Sequence, residues 1–419
     1  MQKRMLSALL SLCIAFFSLF GAMTVTADQS QNEQKRVASE YLSENMYSDF
    51  ENTADEKTVA VAAGVNDLAL SCKSAILIEA STGAVLYEHN ADEVRAPASI
   101  TKIMTLLLVM EAIEGSKLSL DDTIVTGPHA RSKGGSQIWL EDGEQMTAGE
   151  LIKAVAVASA NDAATALAEH IAGSEEAFVV LMNSRANELG MSNTNFVNCC
   201  GLDADGHVTT ARDIAIMSRE LLKHDMIREY SQIWMDYLRG GKTQLVNTNK
   251  LVRFYKGCTG LKTGTTDDAG FCVSASAERD GMELIAVVLA GETSDKRFSD
   301  AKAMLNYGFA NYTVFQPDIS DVPKNPIRVH HGVKNEVGVL FVTPDPLVMK
   351  KGSASKVSIA AQIEQELEAP VNFGDTVGRI LYECDGEIIG ESAVTSADTV
   401  EKMSFKKALA KLLKKLVCP

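Results

Sequence analysis

Residues 103–110, Ile-Met-Thr-Leu-Leu-Leu-Val-Met, form an apolar run that a folded chain must bury on almost every side. A helix that is apolar all round belongs in a protein core rather than on a surface. Ser99 and Lys102 stand at the start of this run, three positions apart and just after Pro97. The run therefore predicts a central buried helix whose first turn carries a serine and a lysine on one face.

The flanking segments predict one sheet that is built from both ends of a domain. Residues 74–90 and 270–293 each contain two β-rich runs around a turn, and the turn Asp280-Gly281 is a strong hairpin signal. Helical periodicity dominates from about residue 99 to 225, and a closing helix is predicted over residues 297–312. This order predicts an α+β fold with an antiparallel sheet and a helical cluster.

The chain is long enough for a second domain. Residues 315–400 consist of short alternating segments with glycine, proline and Asp-Gly turns, which predict a small all-β domain. Residues 401–419 then predict a basic amphipathic helix, because the last 18 residues hold six lysines and no acid, and the leucines share one face. Such a helix favours a membrane surface. The alternative is a surface helix docked on its own domain.

The amino terminus has the pattern of a secretory signal. Lys3 and Arg4 precede an apolar stretch, and small residues end at Ala27, which predicts a signal peptide over residues 1–27 that is cleaved after Ala27. An uncleaved membrane anchor is the alternative, because the stretch approaches spanning length. Residues 28–70 are polar without sustained periodicity and predict a flexible segment that includes a short helix, RVASEYLSENMY.

Charge and cysteine content exclude two function classes. The formal net charge is -15, and no basic stripe crosses the middle of the chain, so a nucleic-acid partner is not expected. Seven of the eight cysteines lie outside the signal, with no Cys-x-x-Cys and no His/Cys spacing of a metal site. The spacing therefore predicts neither a disulfide framework nor a zinc site, and Cys199 and Cys200 are interpreted as buried thiols.

The Ser-x-x-Lys pattern alone is weak, because it occurs four times: Ser99/Lys102, Ser299/Lys302, Ser353/Lys356 and Ser404/Lys407. Ser99 could also be a simple helix cap. Its position nevertheless suits catalysis, since the free N–H groups and positive dipole at a helix start favour an oxyanion. A lysine that is desolvated beside it has a lowered pKa and can accept the serine proton.

Two further patterns follow in order. Ser159-Ala160-Asn161 stands near an apolar helical stretch, and Lys262-Thr263-Gly264, which occurs once, ends a β-like run. The ordered set resembles the three motifs of serine D,D-peptidases, the penicillin-binding proteins. From about residue 74 to 312 the surroundings are similar to the low-molecular-weight D-alanyl-D-alanine carboxypeptidases. The family often has glycine where this chain has Ala160, which is a minor departure.

The resemblance implies a fold, a reaction and site residues. Residues 71–314 would form a serine D,D-peptidase/β-lactamase-like catalytic domain, followed by the small all-β domain. Ser99 would be the nucleophile, Lys102 its base and Ser159 a proton relay, while Asn161 would hold the substrate amide. Lys262 and Thr263 would bind the terminal carboxylate of the substrate. Gly264 would let the substrate backbone lie against the strand edge. The N–H groups of Thr265 and Ser99 would form an oxyanion hole. Lys262 would also lower the pKa of Lys102.

The implied activity is removal of the terminal D-alanine from peptidoglycan stem pentapeptides, with no metal and no cofactor. The implied partners are stem peptides ending in D-Ala-D-Ala, β-lactams as covalent inhibitors, and a membrane surface bound by the terminal helix. The implied location is the outer face of the bacterial cytoplasmic membrane. Two alternatives stay open: a serine β-lactamase with Glu188 as the nearest candidate deacylating acid, or a non-catalytic β-lactam or cell-wall receptor.

Overall fold

The computed structural model describes residues 68–417. The predicted signal peptide and most of the predicted flexible segment, including its short helix, lie outside the described residues. The described chain divides into two compact units between Asn306 and Tyr307. The domain boundaries given above stay predictions.

The first unit combines strands with many helices. In chain order its elements are β1 Ser74–Glu79, β2 Val85–His89, α1 Lys102–Glu114, β3 Thr123–Val125, α2 Pro128–Arg131, β4 Gln145–Thr147, α3 Ala148–Ala158, α4 Asn161–Ala172, α5 Glu175–Glu188, α6 Ala211–Leu222, α7 Met226–Ser231, β5 Met235–Leu238, β6 Thr243–Val246, α8 Leu251–Phe254, β7 Cys258–Thr266, β8 Gly270–Arg279, β9 Met282–Gly291 and α9 Ser294–Asn311, which runs across the division.

One antiparallel sheet joins the two ends of this unit. Its strand order is β2-β1-β9-β8-β7, and β1 pairs with β9 from Ser74 opposite Leu289 to Glu79 opposite Leu284. The sequence predicted this sheet because both hairpins carried apolar runs around short turns. The structure therefore confirms the predicted α+β class and leaves β7 as an edge strand among the described strands.

Helix α1 lies at the centre of the helical cluster. Every side chain from Lys102 to Met110 is buried, as the apolar run predicted. Helices α3, α4, α5 and α6 contribute to the same core. Their starts follow local capping rules: a reciprocal capping box between Thr147 and Glu150 begins α3, and the Ser174 side chain caps α5. Three-residue strands β3 and β4 interrupt the region predicted as mainly helical.

The second unit is built from strands and one terminal helix. In chain order these are β10 Tyr312–Phe315, β11 Ile327–His330, β12 Glu336–Val337, β13 Val339–Phe341, β14 Leu347–Lys350, β15 Val357–Ile363, β16 Glu366–Glu368, β17 Thr376–Cys384, β18 Glu387–Ser396 and α10 Phe405–Val417. Strands β13-β18-β17-β15 form an antiparallel sheet, β12-β11-β16 form a second, and β10 pairs with β14. The prediction of a small all-β domain is confirmed. Between residues 68 and 417, no helix has both the length and the apolar character needed to cross a bilayer.

Candidate active site

Ser99 and Lys102 lie together where helix α1 begins. Residues Ala98–Thr101 form a 3-10 turn, and Lys102 is the first residue of α1. Lys102 Nζ donates a hydrogen bond to Ser99 Oγ at 2.9 Å, since residues three apart share a helical face. Ala98, just before the serine, has a φ of +48°. A residue with a side chain is strained in this region, so the surrounding structure must hold the turn.

A chain of hydrogen bonds holds the turn that carries Ser99. The N–H of Val197 donates to Nδ1 of His207 at 2.9 Å, so the proton of the neutral ring lies on Nε2. This nitrogen donates to Thr101 Oγ1 at 2.8 Å, and Thr101 Oγ1 donates to the Ala98 carbonyl at 2.9 Å. Burial lowers the pKa of His207 to about 4, which keeps the ring neutral at physiological pH.

Lys102 has no exposed surface and three acceptors around its amine. Besides Ser99 Oγ, Nζ donates to Asn161 Oδ1 at 2.6 Å and to the Cys200 carbonyl at 2.6 Å. Burial lowers the pKa of Lys102 to about 8, against the opposing effects of Cys200, Cys199 and Asp162. Both the charged and the neutral amine are therefore accessible near physiological pH, which a base for Ser99 requires.

The Ser-x-Asn pattern lies at the break between α3 and α4. Ser159 ends α3 in the left-handed region with a φ of +63°, Ala160 is extended, and Asn161 begins α4. The Asn161 amide links two parts of the site, because Oδ1 accepts from Lys102 and Nδ2 donates to the Gly134 carbonyl at 2.7 Å. Ser159 is 3% exposed, and its hydroxyl makes no hydrogen bond to any residue in the described part of the chain.

Edge strand β7 brings Lys262, Thr263, Gly264 and Thr265 to the same site. A Cβ added at Gly264 would lie 2.9 Å from the Ala98 Cβ and 2.9 Å from the Ser99 nitrogen. Glycine therefore allows the strand to pass directly against the turn that carries the serine. The predicted reason for this glycine was contact with the substrate backbone; the contact seen in the structure is with the protein's own turn.

Lys262 and Thr263 are almost completely buried in β7. Lys262 Nζ donates to the Thr263 carbonyl at 3.0 Å, and Thr263 Oγ1 donates to Thr248 Oγ1 at 2.7 Å. The sequence did not point to Thr248, which lies in the loop before α8. Its hydroxyl could be found only from the fold, since no motif surrounds it.

The electrostatic coupling between the two lysines differs from the prediction. The low pKa of Lys102 comes from burial. The pKa of Lys262 lies well below its ordinary value because of burial first, and then because of the charges of Lys102 and Arg297. The expectation that Lys262 lowers the pKa of Lys102 is therefore wrong. The repulsion between the two amines lowers the pKa of Lys262, and the low pKa of Lys102 results from desolvation.

Arg297 is a second residue that the sequence did not single out. It lies in the first turns of α9, is 7% exposed, and reaches the back of β7. One guanidinium nitrogen donates to the Gly264 carbonyl and to Thr265 Oγ1, both at 3.0 Å, and to the Cys272 carbonyl at 3.2 Å. Burial lowers its pKa. Arg297 therefore fixes the strand segment that carries Gly264 and Thr265.

The loop before β4 is fixed to the site by Asp162. The carboxylate of this buried residue accepts the N–H groups of Ile138 at 3.2 Å and Leu140 at 3.0 Å. The Asn161 N–H donates to the Ser136 carbonyl at 2.7 Å. The residue directly after the Ser-x-Asn pattern thus anchors the loop that forms one side of the site.

Gly201 explains how the Cys200 carbonyl reaches Lys102. Gly201 has a φ of +85°, and a Cβ there would lie 1.9 Å from the Ala98 carbonyl oxygen. Only glycine combines this backbone conformation with so close an approach. The segment Cys199–Gly201 therefore packs under the serine turn, and the Thr105 hydroxyl donates to the Cys199 carbonyl at 2.6 Å.

Glu188, the nearest candidate for a deacylating acid, is engaged elsewhere. It ends α5 and pairs with Arg185 at 3.3 Å.

The site as a whole presents a serine hydroxyl, a buried amine that contacts it, and a strand edge with lysine and threonine. This arrangement suits acyl transfer through a serine ester, and it needs no histidine in contact with the nucleophile.

Comparison with known families agrees with this geometry. The family model described as D-alanyl-D-alanine carboxypeptidase, Peptidase S11, matches residues 58–293. The model of the penicillin-binding protein 5 C-terminal domain matches residues 313–402. The two matches follow one another in the order of the two units.

Individual relatives extend over most of the chain. The D-alanyl-D-alanine carboxypeptidase DacF of Bacillus subtilis is 41% identical over 344 residues, which is 81% of this chain and 88% of the relative. The crystal structure of penicillin-binding protein 5 from Haemophilus influenzae is similar with a TM-score of 0.74 at 30% identity, and the match covers 81% of this chain and all of that one. The ampicillin-bound penicillin-binding protein D2 of Listeria monocytogenes has a TM-score of 0.54 at 35% identity, with 58% of this chain and all of that one covered.

Proposed function

This chain belongs to the D-alanyl-D-alanine carboxypeptidase family of low-molecular-weight penicillin-binding proteins, and we propose that Ser99 is the nucleophile and Lys102 the base of its reaction. It is a serine-type D-alanyl-D-alanine carboxypeptidase, which removes the terminal D-alanine of peptidoglycan stem pentapeptides and is acylated by β-lactams. The observation that carries the residue assignment is the 2.9 Å contact between Lys102 Nζ and Ser99 Oγ in a buried site.

The acylation step follows from the state of Lys102. Its neutral amine accepts the Ser99 proton while Ser99 Oγ attacks the carbonyl carbon between the two D-alanines. The Asn161 and Cys200 oxygens then stabilise the resulting ammonium, because each already accepts a hydrogen bond from Nζ. The negative charge that develops on the substrate oxygen is proposed to be held by the N–H groups of Ser99 and Thr265, and the close approach of Gly264 to the Ser99 nitrogen supports this assignment.

Ser159 is proposed to relay the proton that Lys102 took from Ser99 to the leaving D-alanine nitrogen, as the bond between that nitrogen and the carbonyl carbon breaks. Its hydroxyl has no partner among the described residues, and it lies two residues before Asn161, which contacts Lys102. Water then hydrolyses the ester on Ser99 and releases the shortened stem peptide. Asn161 is proposed to hold the substrate amide through its side chain.

The strand edge is proposed to bind the terminal carboxylate of the substrate. Lys262 supplies a buried amine, which a bound carboxylate would hold in its charged form, and Thr263 supplies a hydroxyl, whose present partner is Thr248 Oγ1 at 2.7 Å. Arg297 adds a second buried cation on the far side of Gly264 and Thr265. Two fixed cations suit a carboxypeptidase, since its substrate must end in a carboxylate.

The test is release of D-alanine from a synthetic stem pentapeptide. We expect Ser99→Ala to abolish release, whereas Ser299→Ala should leave it unchanged, because Ser299 has the same spacing to a lysine but only donates to the Asp295 carbonyl on the surface of α9. A pentapeptide with an amidated C-terminus should be a poor substrate. Equal turnover of the amidated peptide would contradict the carboxylate assignment, and release by Ser99→Ala would contradict the nucleophile.

As a cell-wall enzyme the protein acts outside the cytoplasm, and we propose that α10 attaches it to the membrane surface. Phe405 is 83% exposed and Leu409 is 48% exposed, so the apolar face of the first turns is not covered by its own unit. Lys406 and Lys407 are exposed beside them. Apolar side chains flanked by lysines suit the interface of an anionic bilayer. Export by the predicted signal peptide is part of the same proposal.

Flotation with anionic liposomes tests this attachment. The full chain should float with the vesicles, and a chain cut after Glu401 should stay at the bottom of the gradient. Lys407→Glu should weaken binding, while Lys302→Glu, a charge reversal in the first unit, should not. Unchanged binding of the truncated chain would rule out α10 as the attachment.

A further inference from the structure

Cys199 and Cys200 form a cluster with Glu175 beneath the active site, and the reaction described above uses none of the three side chains. The two Sγ atoms and a Glu175 carboxylate oxygen all lie within 4.8 Å of one another. Both cysteines have no exposed surface, and Glu175 is 6% exposed. These three residues are called the thiol cluster below.

Local structure explains why adjacent cysteines turn to the same side. The segment Cys199–Gly201 is a bend, in which the Asn198 Oδ1 accepts the N–H groups of Cys200 at 3.2 Å and Gly201 at 2.7 Å. Glu175, in the first turn of α5, reaches the bend and accepts the Cys199 N–H at 3.1 Å and the Cys199 thiol at 3.2 Å. The carboxylate therefore points at the sulfur atoms, as a third ligand would.

We propose that the thiol cluster is a binding site for a thiophilic divalent cation of the zinc type. Two thiolates and one carboxylate are ligands that zinc accepts, and structural and catalytic zinc sites both use such donors. In a tetrahedral zinc site the ligand atoms lie roughly 3.5–3.8 Å apart, given Zn–S near 2.3 Å and Zn–O near 2.0–2.2 Å. The Cys199 Sγ already lies 3.2 Å from a Glu175 oxygen, and no separation within the cluster exceeds 4.8 Å, so small side-chain rotations would bring the ligand atoms to that geometry.

The surrounding charges favour the bound state. Binding displaces the two thiol protons, and two thiolates, one carboxylate and a divalent cation together carry one negative charge. The Lys133 amine contacts Glu175 and the Lys102 amine contacts the Cys200 carbonyl, so two cations lie close to this charge.

His129 marks the edge of the thiol cluster that is nearest to solvent. Its Nε2 lies 2.8 Å from the outer carboxylate oxygen of Glu175, and its side chain is 48% exposed. A cation can therefore reach Glu175 from solvent at this edge, where His129 and Lys133 now contact the carboxylate.

Occupation of the thiol cluster should slow the reaction of Ser99. The backbone of Cys200 belongs to both sites, because its carbonyl accepts the 2.6 Å hydrogen bond from Lys102. Drawing the Cys200 sulfur toward a cation would move this carbonyl and disturb the position of the base. We therefore expect zinc to act as an inhibitor whose site lies beneath the substrate groove.

Cadmium is the probe, because cadmium–thiolate bonds give an ultraviolet charge-transfer band that reports binding without any activity. The full, reduced protein is titrated with Cd²⁺, and penicillin acylation is followed in parallel relative to each variant's own metal-free rate. We expect one tight site, with more than about tenfold weaker binding in Cys199→Ser and in Glu175→Gln. Cys384→Ser, which removes a half-buried thiol of the second unit, should keep both the band and the inhibition.

The outcomes separate this site from the proposed reaction. A band that is unchanged in Cys199→Ser and Glu175→Gln would overturn the site, whatever the acylation rate. Tight binding with no effect on acylation would overturn the coupling through Cys200. Because a variant could fold poorly, a rise in the unfolding temperature of the wild-type protein with Zn²⁺ is a second readout, and its absence at saturating Zn²⁺ would also overturn the proposal.

Discussion

The titration of Lys102 should set the pH at which Ser99 is acylated. Burial lowers the pKa of Lys102 from 10.5 to about 8, and only the neutral amine can accept the serine proton. With this pKa, roughly one lysine in ten is neutral at pH 7 and roughly nine in ten at pH 9. The acylation rate should therefore rise about tenfold over these two pH units and then level off. A lysine with the ordinary pKa would instead give a rise of about a hundredfold with no plateau.

The assay is the second-order rate of acylation by a fluorescent penicillin at limiting concentration, because this constant reports the pKa of the free enzyme. In Lys102→Arg the guanidinium cannot lose its proton in this pH range, so acylation should be slow and its pH profile should lack the wild-type midpoint. Lys302→Arg, at the matching position of the Ser299 pattern, should leave the profile unchanged. A wild-type profile that still rises steeply above about pH 9, or a Lys102→Arg variant with the wild-type midpoint, would refute the role of Lys102 as base.

Further perturbations test the packing and the charges around the site. Gly201→Ala should lower the free energy of unfolding, measured in urea, by about 3 kcal/mol or more relative to Gly206→Ala. Both glycines have a positive φ, but only a Cβ at residue 201 would lie 1.9 Å from the Ala98 carbonyl oxygen. The pKa of Glu175 is about 2 in the folded protein against 4.5 ordinarily, so the stability that this carboxylate contributes is present above pH 4.5 and is lost as the pH falls toward 2. The free energy of unfolding of Glu175→Gln should therefore depend less on pH between 4.5 and 2 than that of the wild-type protein. An unchanged pH dependence would contradict the pairing of Glu175 with Lys133 and His129. Arg297→Met should raise KM for the pentapeptide about tenfold or more, because it removes charged hydrogen bonds, each contributing about 1.5–3 kcal/mol, that hold Gly264 and Thr265 in place. An unaltered KM would show that Arg297 does not position the substrate edge of β7.

The sequence predicted the parts of the fold that depend on local patterns. The run at residues 103–110 is apolar on every face, and helix α1 is buried on every face. The two hairpins were visible as β-rich runs around short turns, and they form opposite parts of one sheet. Strands β3 and β4 have three residues each, too few for an alternating pattern, so they were not predicted.

Sequence motifs predicted only some of the residues in the candidate site. The spacing of Ser99 and Lys102 follows from one helical turn, and the structure gives their contact as 2.9 Å. Thr248 and Arg297 reach the site from a loop and a distant helix, and neither has a sequence pattern of its own. Desolvation as the cause of the low Lys102 pKa was predicted from the apolar helix, whereas the further contribution expected from Lys262 was wrong.

The proposed cation site at the thiol cluster was likewise not predictable from the sequence. Cysteine and histidine spacing gave no reason to expect one, because a carboxylate completes the set. Glu175 lies 24 residues before Cys199 and meets it only after α5 packs against the bend.

The most direct test of the account is the location of the acyl group after reaction with benzylpenicillin. Intact-mass measurement followed by peptide mapping should find one penicilloyl group per chain, on Ser99, and none on the Ser99→Ala variant. The Lys102→Arg variant should carry the same group on Ser99 but acquire it much more slowly. An adduct on any other serine, or acylation of Ser99→Ala at the wild-type rate, would contradict the central claim that Ser99, activated by Lys102, is the nucleophile.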